Sequence, residues 1–244
     1  MHRIWPAGDP RQVDDTELTA LYRSPAGSCV RVNFVTSVDG AVEVQGYSAG
    51  LGNPADHKVF GLLRMFPHAL MVGAGTLRQE GYHAVRLDEP RRAWRQEHGL
   101  RPYPRLVVVS ARLALDPAHP ALAEAPVRPV ILTHAMAPPD RVKALSEVAD
   151  VLVHGVDEVD LARGLAQLRS RGMTQILCEG GPHLFGSLTA ADLVDEVCLT
   201  VSPMLTGAGA GRITAGPAST LRGLRLAHAL FDDGALLLRY ARKA

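Results

Sequence analysis

Leu177-Cys178-Glu179-Gly180-Gly181-Pro182-His183-Leu184 packs a strand end, a glycine turn and a helix start into eight residues. The apolar run Gln175-Ile176-Leu177-Cys178 predicts the strand, and the helix is expected over 183–190. Glycines after a parallel strand let the backbone approach a ligand, and free N–H groups at the next helix start attract phosphate. Pro182 suits the first helical position, where the N–H it lacks has no partner anyway. A second junction of this kind is Met71-Val72-Gly73-Ala74-Gly75-Thr76, entered from the buried-strand run Ala69-Leu70-Met71-Val72. Neither is the three-glycine dinucleotide fingerprint, because no third glycine follows Gly73-x-Gly75 at the required place. Gly207-Ala208-Gly209-Ala210-Gly211 does not clearly open a helix. One glycine pair after a strand is as often plain turn chemistry. Two in one chain, at strand ends where ligands collect, point to a nucleotide-type cofactor and a small polar substrate.

The segments around these junctions predict the architecture. Cys29-Val30-Arg31-Val32-Asn33-Phe34-Val35-Thr36 reads as the first strand, closed by Asp39-Gly40. Leu106-Val107-Val108-Val109, Pro129-Val130-Ile131-Leu132, Val151-Leu152-Val153 and 194–201 read as further strands. Runs that are polar on neither face suit a sheet covered on both sides. Helices are expected over 54–66, where Val59, Leu62, Leu63 and Phe66 keep helical spacing, and over 161–171, ended by Gly172. Asp14 with Glu17 resembles a capping box for a short helix that Pro25 and Gly27 end. The region 224–240 reads as an antiparallel hairpin with Asp233-Gly234 in its turn. The expectation is an α/β, three-layer fold with a mostly parallel sheet, helices on both faces and an antiparallel edge formed by the C-terminal hairpin. One domain is expected over 1–244, with 1–28 as an N-terminal extension carrying a short helix and 29–244 as the core. The stretch 86–105 holds Arg86, Arg91, Arg92, Arg95, Arg101 and Arg105 with three prolines, and is expected to be an exposed, solvated connection.

Bulk properties narrow the function classes. The chain has 244 residues, 47% apolar, with a net charge of +1. That balance gives no field to recruit nucleic acid or anionic membrane. No apolar run approaches the roughly 20 residues of a spanning helix. The start lacks the apolar stretch of a signal peptide, so a cytoplasmic location is expected. Cys29, Cys178 and Cys198 sit scattered in strand-like runs, which suits reduced core thiols, and the ten histidines show no ligand spacing. No metal is expected.

Five motifs occur in order: Asn33-Phe34-Val35-Thr36-Ser37-Val38-Asp39-Gly40, Gly46-Tyr47-Ser48, Leu62-Leu63-Arg64, Val72-Gly73-Ala74-Gly75-Thr76 and Glu179-Gly180-Gly181-Pro182. Together, over about Arg31 to Arg212, they resemble the pyrimidine reductase family of riboflavin biosynthesis, which has the dihydrofolate-reductase fold. The resemblance implies NADPH-dependent reduction of the ribosyl side chain of a 5-amino-6-(ribosylamino)pyrimidine 5′-phosphate, in deaminated or non-deaminated form. The zinc deaminase half of bifunctional relatives is missing, since no H-x-E with P-C-x-x-C occurs; a stand-alone reductase and a homodimer are implied.

By the same resemblance Asn33, Asp39 and Glu179 are the candidate catalytic residues. Asn33 would hold the sugar hydroxyls; Glu179 or Asp39 would orient the substrate or relay the proton. Val35, Gly73, Gly75, Thr76, Glu80, Ser110, Arg112, Gly180, Gly181, Pro182, His183, Leu184 and Phe185 match cofactor positions, with Arg112 placed for an NADP 2′-phosphate. Ser48, Arg64, Arg86 and Glu179 match substrate positions, the arginines suiting a phosphate through charge-assisted forks. Simpler roles stand beside these: Ser48 in an ordinary loop, Arg64 complementing its helix C-terminus, Asp39-Gly40 as a plain turn. Asn33, where bifunctional bacterial relatives carry Lys, resembles the stand-alone archaeal and fungal forms. Gly50 replaces an aromatic that would wall the pocket. Those two departures keep two other functions open: dihydrofolate-reductase-like reduction of a pterin, and NADPH binding without catalysis.

Overall fold

The computed structural model describes residues 1–6, 11–23 and 26–243. In chain order its elements are β1 (His2–Trp5), β2 (Arg11–Gln12), α1 (Asp15–Tyr22), β3 (Cys29–Thr36), α2 (Pro54–Leu63), β4 (Ala69–Gly73), α3 (Ala74–Gln79), α4 (Glu89–Glu97) and β5 (Arg105–Val109). There follow α5 (Pro120–Ala123), β6 (Val130–Thr133), α6 (Pro139–Ser146), β7 (Asp150–Val153), α7 (Leu161–Ser170), β8 (Gln175–Cys178), α8 (Pro182–Ala190), β9 (Glu196–Val201), β10 (Leu224–Asp232) and β11 (Ala235–Arg242).

The strands form one sheet in the order β2-β1-β10-β11-β9-β3-β8-β4-β5-β6-β7. From β9 to β7 all pairings are parallel, and from β9 outward through β11, β10, β1 and β2 they are antiparallel. Side chains alternate across a strand, and here each face has its own core. Leu70, Val72, Leu106, Val108 and Ile131 join one cluster with Leu18, Tyr22, Val59 and Leu63 of α1 and α2. Ala69, Met71, Val107, Val130 and Leu132 join the other with Leu165 and Leu168 of α7 and Leu184 and Leu188 of α8. The α/β, three-layer reading of the apolar runs therefore holds.

Three expectations about its margins do not. The C-terminal hairpin is not the sheet edge, because β1 pairs with β10 and β2 with β1 beyond it. Those strands are short and largely exposed; backbone pairing holds them, so no apolar alternation announces them. The segment 1–28 also contributes to the core, with Val13, Leu18 and Tyr22 buried. Asp14 does cap α1 by accepting from the Glu17 N–H, while Pro25, expected to end that helix, lies outside the described residues. The arginine-rich stretch 86–105 is not a loop throughout. It contains α4, capped by Asp88, and Arg95 within it is buried. Its guanidinium donates to the carbonyls of Arg101, Met65 and Pro67 at 2.7–2.8 Å. Three fixed carbonyls replace the water that the charge gives up, one six residues on and two about thirty residues back in the chain.

The three cysteines are free and buried. Desolvation first, with nearby carboxylates adding to it, pushes the Cys29 thiol up to about 12. A buried ionic chain ties β3, β9 and β11 together: Arg31 donates to Glu196 at 2.7 Å, and Arg239 bonds the other Glu196 oxygen. It fixes the part of β3 that leads into Asn33 and Val35. No helix among the described residues is long and apolar enough to cross a membrane.

Candidate functional site

The two glycine junctions lie about a hundred positions apart in the chain, yet β4 and β8 are neighbours, so both open at the same end of the sheet. Their backbones are bonded to each other, Gly73 N–H to Gly180 O at 2.7 Å and Glu179 N–H to Met71 O at 3.0 Å. Side chains are excluded at the contact. A Cβ on Gly181 would meet Thr76 Oγ1 at 2.6 Å. One on Gly180 would meet the Phe34 ring at 2.9 Å, and Gly180 has φ +91°, where glycine is favoured. That Phe34 ring stacks on Phe185, with centroids 5.2 Å apart.

Two cavities flank this contact. One, of about 490 Å³, is lined by Asn33, Val35, Ser48, Asp56, Arg64 and Glu179 among others. The other, of about 1150 Å³, is lined by Gly73, Gly75, Ser110, Arg112, His183 and Leu184 among others. They share Thr76, Gln79, Gly181 and Pro182. The larger cavity runs along the turns after β4 and β5 and the first turn of α8, the setting in which strand ends and a helix start bind phosphates. Its wall combines the two glycine turns, Ser110 and the exposed Arg112 on one side with the carboxylates of Asp157, Glu158 and Asp160 on the other. Among the described residues no group of three or more His, Cys, Asp or Glu is arranged to hold a metal ion.

The smaller cavity has a charged wall. Glu179 is buried, and its two oxygens receive Arg64 Nε and Nη2 at 2.7 Å each and the Tyr82 hydroxyl at 2.6 Å. Arg64 stands 4.2 Å over the Phe60 ring. Burial opposes its charge, but the facing carboxylate outweighs that and raises its pKa above the ordinary arginine value. Tyr82 is pushed well above a normal phenol, by burial first and by the Glu179 charge second. Glu80 accepts from the Ser48 N–H and hydroxyl at 3.1 and 3.0 Å, which holds the 46–51 loop over the cavity. Arg86 lies exposed at the rim and donates to Glu124 O at 3.2 Å.

Asn33, Glu179, Ser48, Arg64 and Arg86 thus gather in the smaller cavity, whereas Gly73, Gly75, Ser110, Arg112, His183 and Leu184 gather in the larger. Thr76, Gly181 and Pro182 stand between. Val35 and Glu80, expected at the cofactor, line the smaller cavity only. Gly180 and Phe185 support the wall without lining either. Asp39 is not brought to the site. Its exposed carboxylate takes the Ser37 hydroxyl and the Gly207 N–H, the latter at 2.8 Å, and those bonds hold its pKa down to about 2. Residues that the motifs did not flag are Asp56, Phe60 and Tyr82. Each looks locally ordinary; Asp56 reads as a first-turn helix acid and Tyr82 as part of a loop.

Seven parallel strands carry two adjoining cavities at one end of the sheet, the larger along glycine turns and a helix start and the smaller among polar side chains, as in α/β proteins whose sites lie at the strand ends. The chain belongs to the RibD C-terminal domain family, which matches residues 28–237. It is similar to the 2,5-diamino-6-ribosylamino-4(3H)-pyrimidinone 5′-phosphate reductases of Archaeoglobus fulgidus and Methanothermobacter thermautotrophicus, at 29% and 31% identity over 179 residues. Those alignments cover 73% of this chain and 81% and 79% of the relatives. In fold it matches a pyrimidine reductase-like protein from Corynebacterium diphtheriae with a TM-score of 0.82, at 24% identity, covering 89% of this chain and 92% of that one.

Proposed function

We propose that the protein is an NADPH-dependent oxidoreductase that reduces the ribosylamino side chain of a phosphorylated aminopyrimidine to the ribitylamino form. The observation that carries this is the shared wall of the two cavities at Thr76, Gln79, Gly181 and Pro182. It is the place where a ring in the larger cavity meets a small molecule in the smaller one. Bound in the larger cavity, the dihydronicotinamide supplies a hydride. The substrate's ribose opens, its C1′–O4′ bond breaking as O4′ takes up the glycosylamine N–H proton, and leaves a C1′=N bond. Hydride adds to C1′ and a solvent proton to nitrogen, giving the secondary amine and the oxidised cofactor.

The residues position these partners. Arg112, beside Ser110, suits a 2′-phosphate, hence the choice of NADPH over NADH. Asn33, at the floor, faces the sugar hydroxyls. Arg86 at the open rim suits the 5′-phosphate. Glu179, held by three donors from Arg64 and Tyr82, anchors the wall in this reading and does not relay the proton. The pterin alternative is weaker, since the rim arginine answers a phosphate. The rest of the reading is a single domain over 1–244, a homodimer and a cytoplasmic location, supported by the family resemblance. Purified protein given NADPH and the ribosylaminopyrimidine 5′-phosphate should lose absorbance at the dihydronicotinamide band and yield the ribityl product; tight NADPH binding with no turnover would defeat the assignment.

A further inference from the structure

We infer that Asp39 is a positioning residue whose carboxylate latches the segment 202–217 as a strap running from the smaller cavity to the larger. This rests on the reductase reading above only for the identity of the ligands. The chain leaves β9 at Val201 and enters β10 at Leu224, and among the described residues 202–223 form no helix or strand. Gly207, Gly209 and Gly216 in this stretch have φ of +84°, +106° and +111°. With no ladder of its own, the segment is held at its two ends. At the near end the Ser202 N–H donates to Thr36 O at 2.7 Å and the Val38 N–H to Met204 O at 2.9 Å. Asp39 then takes the Gly207 N–H at 2.8 Å and the Thr206 N–H at 3.3 Å. Its carboxylate is fixed from the β3 side by the hydroxyl of buried Ser37, whose oxygen accepts the Ala41 N–H at 2.9 Å. At the far end the Ala215 N–H donates to Pro182 O at 3.0 Å. A Cβ on Gly186 would stand 2.0 Å from Ala215 O, so the strap backbone lies directly on α8.

The turn at Asp39-Gly40 closes without the strap, through the Gly40 N–H to Ser37 O at 3.0 Å. The bonds from Thr206 and Gly207 to Asp39 cross 167 and 168 positions of the chain, so they serve the strap and not the turn. Asp39 itself lines neither cavity, but the strap it holds reaches both. A Cβ on Gly211 would stand 3.7 Å from Val42, a residue of the smaller cavity. Further on, Ile213 packs on the core around Leu184 and Phe185, and Pro217 lines the larger cavity. A segment without a hydrogen-bonded ladder opens locally at low cost. Loose in the free protein, it would have to be ordered as the ligands bind, which opposes the binding of both. A carboxylate suits the latch because an ionised acceptor bonds N–H donors more strongly than a neutral one and takes several at once. The Ser37 hydroxyl first, and then the Gly207 N–H, hold the Asp39 carboxyl down to about 2, so near neutral pH the latch stays charged and releases no proton.

Amide hydrogen exchange, NADPH titration calorimetry and steady-state kinetics on the wild type, Asp39→Ala and Asp39→Asn test the latch. In Asp39→Ala the amides of 204–211 should exchange about tenfold faster without any ligand. The NADPH Kd and the substrate KM should each rise about three- to tenfold, with a smaller change in kcat. Asparagine keeps one oxygen for the Gly207 N–H and can donate to Ser37 Oγ, so Asp39→Asn should return exchange and binding to within about twofold of the wild type. A proton relay would behave otherwise, both variants losing kcat by about two to four decades. Should Asp39→Ala fail to fold, the wild type decides: NADPH should slow exchange over the whole of 204–217, and protection confined to 215–217 overturns the strap. Native exchange and binding in Asp39→Ala, or an Asp39→Asn enzyme as impaired as Asp39→Ala, overturns the latch and leaves the reductase reading standing. No NADPH binding or oxidation by the wild type sinks the reductase reading alone, and the latch then stands or falls on the exchange difference measured without ligand.

Discussion

Replacing Glu179 by Gln separates an anchoring carboxylate from a proton relay. In the native wall its oxygens take two bonds from Arg64 at 2.7 Å and one from Tyr82 at 2.6 Å. A glutamine keeps one acceptor, turns an N–H toward a donor and leaves the guanidinium without its counter-charge. Breaking a buried ion pair costs about 3–5 kcal/mol when the remaining charge has no other relief. Here the Arg64 side chain is 26% exposed and opens on the cavity, so solvent screening reduces the cost to about 2–3 kcal/mol. In a domain of this size that is a fall in Tm of roughly 5–10 °C. Freed of Glu179, Arg64 and Tyr82 leave their places, and substrate KM should rise about tenfold or more with a smaller change in kcat. A relay would behave otherwise, losing kcat by about two to four decades and a limb of the pH–rate profile. Calorimetry and steady-state kinetics on Glu179→Gln and Tyr82→Phe read both. Tyr82→Phe removes one donor and should cost about 1–2 kcal/mol, with a milder rise in KM. A Glu179→Gln enzyme with native Tm and native KM but collapsed kcat would refute the anchoring argument.

Arg112→Ala should weaken NADPH binding about tenfold or more while leaving NADH binding unchanged, by titration calorimetry; equal losses for both cofactors would remove Arg112 from the 2′-phosphate. Arg95→Met strands three carbonyls and should destabilise by about 3–5 kcal/mol in urea unfolding, despite conserving bulk; an unchanged midpoint would mean that water satisfies them. His228 is buried against Tyr22, and burial, aided by Arg239 and Arg31, lowers its pKa from 6.5 to about 4. The unfolded chain therefore takes up this proton first: stability is full above pH 6.5 and falls by about 3 kcal/mol as pH drops to 4. Phe in its place should flatten that window in urea midpoints measured against pH, and an unaltered slope counts against His228 as the source.

What was legible in the sequence follows from which forces are local. Runs such as Leu106–Val109 announce buried parallel strands because both faces must be apolar, and the cap at Asp14 acts within three residues; Asp88 caps α4 by an equally local bond, but the arginines and prolines around it read as a solvated connection. Arg95 was illegible as a buried residue because its burial depends on the Met65, Pro67 and Arg101 carbonyls, and carbonyl positions leave no mark on residue type. Asp56 shows the same limit from the other side. A carboxylate in the first turn of a helix is fully explained by the helix itself, so nothing local signals that it lines a cavity.

The glycine junctions mark where local reading ends and topology begins. Each alone is compatible with a turn. They become a site because the chain order β4, β5, β6, β7, β8 returns the second junction to the strand beside the first, on the side next to β3. Gly73 can then bond Gly180, and Gly181 can approach Thr76 more closely than any Cβ allows. Chemistry at this place therefore depends on two glycines that carry no functional group. A side chain at Gly181 would displace Thr76 from the wall that both cavities share, without touching Asn33, Arg86 or Arg112. Its effect should accordingly fall on the approach of the two ligands to each other more than on the binding of either.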